Sequence, residues 1–258
     1  MRRVLVIGIG AGDPEQVTVQ AIRALNAVDV FFVVDKSPTR PDVDELVRLR
    51  REICERYIDE HSYRIVELAD PPRDRTTPAY SGAVEDWRAA RAELWERAIA
   101  DELDEDGCGA FLVWGDPSLY DSTIAVLDRI LARGAVAFEH EVVPGITSVQ
   151  ALTARHRVPL SRVGNAVQIT TGRRLAKGFP DGVEEVVVML DADCSFRHLE
   201  DREIEIHWGA YLGMDDEILV SGTVGEVGGE IERLRREARE RKGWIMDAYL
   251  LRRSRACE

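Results

Sequence analysis

Hydrophobic and polar positions alternate along the first half of the chain as short apolar runs followed by segments with helical spacing. The apolar runs predict five strands, at Val4–Gly8, Val30–Val34, Tyr63–Leu68, Ala110–Trp114 and Phe138–Val143. The intervening segments predict helices at residues 14–26, 43–60, 81–103 and 119–133. Because parallel strands must be joined by crossover connections, this alternation predicts an α/β domain with a mainly parallel sheet over residues 1–143.

The pattern changes at Pro144 and Gly145, after which the strand signals lie closer together. They predict strands at Val167–Thr170, Glu185–Met189, Glu203–His207, Ile218–Ser221 and Trp244–Leu251, with one long helix at residues 226–242. Residues 144–258 are therefore predicted to form a second α/β domain with a mixed sheet. A polar, proline-broken loop begins at Asp70 and runs through Thr77. It is either a surface connection or a flap over a site.

Composition narrows the classes of function. The 258 residues include 34 Lys and Arg against 47 Asp and Glu, a formal net charge of −13, which disfavours nucleic-acid binding because phosphates attract basic surfaces. No apolar run approaches the ~20 residues that cross a bilayer, and the first strand is cut by glycines before it could form a signal peptide. We therefore expect a cytoplasmic protein without membrane contact. The four cysteines lie far apart without metal-ligand spacing, so neither disulfides nor a metal site is expected.

Three loops that follow predicted strands carry the candidate chemistry. They are Gly8-Ile-Gly-Ala-Gly-Asp-Pro14, Trp114-Gly-Asp-Pro-Ser-Leu-Tyr-Asp-Ser-Thr123 and Val142-Val-Pro-Gly-Ile-Thr-Ser-Val149. Ligands of open α/β sheets bind beyond the carboxyl ends of the strands, so we expect the three loops to share one site. The alternative for each loop is that it only begins a helix.

The first loop also permits other readings. Asp13 stands where the dinucleotide-binding fingerprint requires a glycine, and a carboxylate there would repel a pyrophosphate. NAD binding is therefore disfavoured, but Gly8, Gly10 and Asp35 leave a Rossmann-type oxidoreductase as an alternative. The same spacing resembles the first motif of Rossmann-type methyltransferases.

The three loops together resemble a known family. G-x-G-x-G-D-P, G-D-P-S-x-Y and V-V-P-G-I-T-S-x-Q are similar to segments of the tetrapyrrole (class III) methyltransferases, and the resemblance runs along the whole chain. It implies two α/β domains with the active site in the cleft between them, a homodimer, and S-adenosylmethionine as methyl donor without a metal. It further implies donor contacts, residue by residue, at Pro14, Gly115, Asp116, Leu119, Thr147, Ser148, Leu190, Leu212 and Ala248. The match at Leu190 is partial, because Met189-Leu190-Asp191 stands where the family has Tyr-Met-Gly. The match at Leu212 and Ala248 is weaker, because the family's small residue followed by Trp-Pro is absent from this sequence.

Segments 8–20, 70–75, 114–123 and 169–174 resemble the deacetylating member of this family in aerobic cobalamin biosynthesis. That resemblance implies methylation of precorrin-5, a polyanionic tetrapyrrole, at C-1, with loss of an acyl group as acetate. Two alternatives stay open. One is another precorrin C-methyltransferase without deacylation, and the other is a tetrapyrrole carrier that does not need the methyl donor.

Acyl loss requires proton transfer by a positioned group. Tyr120 and Asp121 follow the Gly115–Asp116 corner closely enough to face a bound macrocycle, and we predict that they are catalytic. Their alternative roles are a packed ring and a capping carboxylate. His140 on the fifth predicted strand is interpreted as structural.

Carboxylates of the substrate would bind guanidinium groups. Arg173 and Arg174, after Thr170-Thr-Gly172, are the predicted substrate-binding residues, and Arg73 and Arg75 are the next candidates. Asp35-Lys36 is either near the site or a simple strand end.

Overall fold

The computed structural model of the protein describes residues 1–35, 44–59, 62–71 and 80–253. The chain divides into two compact units, Met1–Thr147 and Ser148–Glu258. Each unit contains one five-stranded sheet with helices, which confirms the predicted α/β class with two sheets. The sequence pattern placed the division slightly earlier, at Pro144.

The first unit is built on a fully parallel sheet. Its strands are β1 Arg2–Gly8, β2 Val30–Asp35, β3 Arg64–Ala69, β4 Cys108–Val113 and β5 Phe138–Val143. Its helices are α1 Val19–Leu25, α2 Asp44–Tyr57, α3 Tyr80–Glu102 and α4 Thr123–Arg133. The strand order is β3-β2-β4-β1-β5, so β1 lies between the two strands whose following loops carry the other motifs.

Helices cover both faces of this sheet. On one face Leu25 of α1 and Ile53 of α2 pack in the core, and on the other Trp95 of α3 and Ile130 of α4 do so. The Trp95 ring stacks on Phe111 with their centroids 4.1 Å apart. Neighbouring strands β1 and β4 are therefore followed by helices on opposite faces. This reversal is the topological switch point, where open parallel sheets leave a crevice for ligands.

Two predicted helices of this unit begin later than expected. The chain that follows β1 makes a 3-10 turn at Pro14–Gln16, becomes extended at Val17, and enters α1 only after Thr18, whose Oγ accepts from Ala21 N at 3.0 Å. Helix α4 starts at Thr123 rather than residue 119 because Tyr120 has a left-handed φ of 54°. A helix cannot include such a residue, so the second motif lies on a loop.

The second unit has a mixed sheet. Its strands are β6 Val167–Thr171, β7 Glu185–Met189, β8 Glu205–Ala210, β9 Ile218–Thr223 and β10 Asp247–Arg252, in the order β6-β7-β10-β8-β9. The pair β6 and β7 is parallel, and the other three pairs are antiparallel. The helices are α5 Ser148–His156, α6 Gly172–Leu175 and α7 Val224–Lys242.

The longest helix of this unit, α7, begins with a capping box in which Thr223 and Glu226 satisfy each other's backbone N–H groups. The short helix α6 was not predicted. Trp208, Tyr249 and Phe196 are fully buried in this unit. Among the described residues, no helix combines the length and apolarity needed to cross a membrane.

Candidate functional site

The three predicted loops lie side by side in the first unit. The first, second and third loops follow β1, β4 and β5, respectively. These strands are parallel neighbours in the order β4-β1-β5, so the loops emerge at the same edge of the sheet. Gly10 and Gly115 join the first two loops as an antiparallel bridge. Gly115 N donates to Gly10 O at 2.8 Å, and Gly10 N donates to Gly115 O at 3.4 Å.

Glycines let the three loops touch through their backbones. A Cβ atom on Gly145 would lie 2.1 Å from Gly115 O, and one on Gly8 would lie 2.6 Å from Gly145 N. Such distances exclude any side chain at these two positions. Gly115 itself needs its φ of +69°, but a Cβ there would meet nothing nearer than Thr147 Cα at 3.7 Å. The site is therefore a backbone surface that a ligand can approach closely.

Asp116 ties the second loop to the third. Its Oδ2 accepts from Gly145 N at 2.8 Å, and its Oδ1 accepts from Ser118 N at 2.8 Å and from the Ser118 hydroxyl. Partial burial disfavours the charged form, but these hydrogen bonds outweigh it and lower the pKa of Asp116 below its ordinary value. The carboxylate is thus ionised and already occupied with fixing the loops.

Hydrogen bonds fix the backbone around Pro14 in the first loop. Its carbonyl accepts from Tyr57 OH at 3.0 Å, while the Asp13 carboxylate caps the 3-10 turn by accepting from Glu15 N at 2.8 Å. Gln16 Oε1 accepts from Ala11 N at 2.9 Å. The half-buried proline therefore presents a fixed corner at this edge of the sheet.

The predicted catalytic pair follows Asp116. Leu119 N donates to Asp116 O at 3.2 Å, which closes a turn and leaves the Leu119 side chain half-buried. Tyr120 is 47% exposed in its left-handed conformation. Asp121 Oδ1 accepts from Thr123 N at 2.7 Å, so its carboxylate also caps α4. This cap uses only one of the two carboxylate oxygens of Asp121.

Thr147 and Ser148 stand at the join of the two units. Thr147 is the last residue of the first unit and is half-buried. Ser148 is the first residue of α5, where backbone N–H groups lack partners within the helix.

The remaining predicted contacts lie on one edge of the second sheet. Thr171, Met189, Ala248 and Gly209 are register neighbours across β6, β7, β10 and β8. Leu190, directly after β7, is 67% exposed and has a left-handed φ of 53°. By contrast, Leu212 and Ala248 are 5% and 2% exposed. Contacts by these last two residues would therefore be made through backbone groups.

Arg173 and Arg174 lie in α6 at the same edge, and both are exposed. The turn that carries them packs directly on the loop after β7, because a Cβ on Gly172 would lie 2.2 Å from Asp191 Oδ1. Asp191 was not predicted as a functional residue. Its one sequence signal is that it stands where the family has glycine.

The polar loop after β3 is anchored where it begins. Arg91 donates to both carboxylate oxygens of Asp70, at 2.9 and 2.8 Å, and Trp87 Nε1 donates to Pro71 O at 3.1 Å. The guanidinium of Arg91 also donates to Ser122 Oγ at 3.3 Å, which connects this anchor to the loop before α4.

Several predictions fall outside the described residues. Lys36, Arg73, Arg75 and the rest of the proposed flap lie there, as does the side chain of Asp35. His140 lies within β5, with Nε2 3.9 Å from Asp128 Oδ1. In the described ranges, no cluster of three or more His, Cys, Asp or Glu could hold a metal ion.

Comparison with known proteins places this geometry in context. Residues 3–228 match the tetrapyrrole (corrin/porphyrin) methylases. A relative from Sinorhizobium sp, named precorrin-6A synthase [deacetylating], is 53% identical over 252 residues, which cover 98% of this chain and 95% of the relative.

Solved structures agree with this match. A cobalamin synthesis related protein from Corynebacterium diphtheriae superimposes with a TM-score of 0.83 at 36% identity, covering 98% of both chains. The uroporphyrin-III C-methyltransferase of Thermus thermophilus, solved with S-adenyl homocysteine, shares the fold with a TM-score of 0.57 at 19% identity and covers 96% of both chains.

Proposed function

The chain belongs to the tetrapyrrole (corrin/porphyrin) methylase family and is a methyltransferase, and we propose that it methylates precorrin-5 at C-1 and releases an acyl group as acetate. The observation that carries this substrate assignment is the 53% identity, over nearly the whole chain, to a precorrin-6A synthase [deacetylating]. The same similarity favours this reaction over methylation without deacylation. It also disfavours the oxidoreductase and carrier alternatives.

The first sheet edge suits S-adenosylmethionine as donor. Its glycine backbones, with no side chain over Gly115, offer a surface where a nucleoside and an amino-acid group could lie against N–H and C=O groups. When bound, the donor supplies a methyl group already activated on a sulfonium centre. Pro14, Gly115, Asp116, Leu119, Thr147 and Ser148 would hold it, and Leu190, Leu212 and Ala248 are the proposed contacts from the second unit.

The protein's contribution to methyl transfer is alignment. An activated donor needs no acid or base, so the gain in rate comes from orienting the donor and the ring carbon and from excluding water. Loops joined by the close backbone contacts of Gly8 and Gly145 and by the Asp116 hydrogen bond suit this task, because these contacts hold the loops together without a ligand.

Acyl loss needs more than alignment. Water adds to the acyl carbonyl, the bond from that carbon to the macrocycle breaks with its electron pair passing to the ring, and acetate leaves. A group must take a proton from the water and return one to the ring. We assign these proton transfers to Tyr120 and Asp121, which are exposed beside the Asp116 loop.

The decisive experiment is incubation of the protein with precorrin-5 and S-adenosylmethionine labelled on its methyl group. We expect a labelled macrocycle lacking the acyl group, with one acetate released per methyl transferred, as measured by mass spectrometry. Labelled macrocycle without acetate would instead identify a precorrin methyltransferase of the non-deacylating type. No transfer to precorrin-5 would contradict the substrate assignment.

The proposal includes a homodimer in the cytoplasm, as the family resemblance implies. Sedimentation of the purified protein should give about twice the mass of the 29.0 kDa chain. A monomer that turns over precorrin-5 at full rate would contradict this part alone.

A further inference from the structure

Leu190 has an unfavourable combination of properties. Its apolar side chain is 67% exposed, and its φ of 53° lies in the left-handed region that disfavours residues with a Cβ atom. Such strain persists only where the surroundings impose it.

The residue that follows Leu190, Asp191, fixes the loop from inside the unit. Its side chain is buried and accepts four hydrogen bonds, which fill both carboxylate oxygens. Oδ2 accepts from Ser195 N at 2.6 Å and Tyr249 OH at 2.5 Å, and Oδ1 accepts from Ser195 Oγ at 2.9 Å and Asp193 N at 3.1 Å. Burial and the Asp191 charge raise the pKa of Tyr249, which therefore stays a donor.

Arg235 of α7 fixes the backbone of the same loop. Its guanidinium donates to Asp191 O at 2.6 Å and to Ala192 O at 3.1 Å, and its Nε donates to Asp247 Oδ2 at 2.9 Å. Asp247 Oδ2 also accepts from Trp208 Nε1 at 3.0 Å. The loop after β7 is thus tied to α7, β8 and β10 by buried, charge-assisted hydrogen bonds.

Gly172 extends this network to the neighbouring turn. Because its Cα packs against the Asp191 carboxylate, movement of Asp191 would also move the turn that carries Arg173 and Arg174. One buried carboxylate therefore underlies both the exposed Leu190 and the exposed arginines.

We propose that Asp191 and Arg235 are positioning residues that hold Leu190 against the methyl donor. This inference rests on the proposed function, in which Leu190 contacts S-adenosylmethionine. Neither residue needs to touch a ligand, since both act through the backbone of the loop. The strain at Leu190 is the cost of presenting an apolar side chain at a fixed place on the sheet edge.

The test compares Asp191→Asn with Asp193→Asn, the same change on an exposed carboxylate of the same loop. An amide at 191 turns one oxygen into a donor that faces other donors. We expect Asp191→Asn to bind S-adenosylhomocysteine roughly 10-fold more weakly by calorimetry, equivalent to the loss of about one hydrogen bond. The KM for S-adenosylmethionine should rise with it, while kcat at saturating donor changes little. Asp193→Asn should match the wild-type protein.

A double-mutant cycle separates positioning from general stability. Leu190→Gly removes the side chain and accepts the left-handed φ without strain. In this background Asp191→Asn should have little further effect on affinity. If the roughly 10-fold loss persists there, Asp191 acts on the whole unit and the inference is wrong.

A milder variant covers the case in which Asp191→Asn does not fold. Tyr249→Phe removes one of the four hydrogen bonds and keeps the ring, and we expect a smaller loss of affinity in the same direction. Unchanged affinity in a Tyr249→Phe variant would overturn the inference while leaving the proposed function intact. If the wild-type protein itself fails to bind S-adenosylhomocysteine, both proposals fail.

Discussion

At the scale of single residues, the three loops at the edge of the first sheet depend on glycines that allow their backbones to touch. We expect Gly145→Ala to destabilise the protein by ~1–3 kcal/mol, because the new Cβ would overlap Gly115 O and force the second and third loops apart. Binding of S-adenosylhomocysteine should weaken with it. The free energy of unfolding in urea and calorimetry measure the two effects.

The matched control is Gly229→Ala, an exposed position in α7 where a Cβ would meet nothing within 4 Å. This variant should be stabilised by ~0.5–1 kcal/mol, since alanine favours a helix over glycine. Equal effects of the two substitutions would show that the packing around Gly145 is not what the loops depend on.

Another residue-scale effect concerns His207 in the second unit. Its ring lies 5.3 Å from the ring of His156, and its Nδ1 is buried without a hydrogen-bond partner. Burial, His156 of α5 and Arg252 of β10 lower the pKa of His207 from 6.5 to about 4, against the opposing charge of Glu205.

The sign of the pH dependence follows from this shift. Between about pH 6.5 and 4, His207 binds a proton in the unfolded chain but stays neutral in the folded protein. The free energy of unfolding therefore falls as the pH drops through this window. Because His207 is only half-buried, solvent screening should limit the effect to ~1 kcal/mol. Urea midpoints at pH 7 and pH 5 measure it, and His207→Gln should flatten the difference. An unchanged slope in that variant would assign the pH dependence to other groups.

At the scale of elements, α6 presents two exposed arginines at a sheet edge. We expect Arg173→Ala or Arg174→Ala to weaken binding of the polyanionic macrocycle by ~1–3 kcal/mol, the worth of a charge-assisted hydrogen bond. Affinity for S-adenosylhomocysteine should stay nearly constant. Arg236→Ala, an exposed arginine of α7, serves as the control for a simple change of net charge. Equal losses for both ligands would indicate damage to the unit rather than a lost substrate contact.

Strands were the elements that the sequence revealed best. The strands predicted at Phe138–Val143 and Glu185–Met189 match β5 and β7 at both ends. In β7 the signal is a run of buried apolar side chains, whereas β5 buries only its two end residues, Phe138 and Val143. Helix starts were less predictable. Tyr120 interrupts an amphipathic pattern that extends back to residue 119, and a left-handed tyrosine has no sequence signal. Helix α6 depends on the packing of Gly172 against Asp191, which only the folded chain brings together.

At the scale of the whole molecule, sequence motifs became sites only through strand order. Gly8 and Gly145 lie far apart in the chain, and they meet because β1 and β5 are neighbours, an order that periodicity does not encode. The sheet edge of the second unit collects Arg173, Leu190 and the start of β10 in the same way. The three predicted loops could therefore be identified from sequence. The hydrogen bonds of Asp116, which join two of these loops, and those of Asp191, which fix the loop after β7, could not.

The proposed reaction combines two chemical steps, and we expect them to be separable in one protein. Methyl transfer requires alignment alone, whereas acyl loss also requires proton transfer by a positioned group. Tyr120→Phe and Asp121→Asn are the variants to compare. Phenylalanine keeps the exposed ring, and asparagine still caps α4 through its side-chain oxygen, so the loop and donor binding should persist.

Loss of a general acid or base typically costs ~10²–10⁴ in rate, so these variants should accumulate a methylated macrocycle that still carries its acyl group. Mass spectrometry of a timed reaction with labelled donor distinguishes that product from the fully processed one. The control is Arg236→Ala, an exposed position of α7 that takes no part in the proposed proton transfers. If Tyr120→Phe and Asp121→Asn both release acetate in step with methylation at the wild-type rate, the proton transfers belong to other groups, and Asp121 serves only to begin α4.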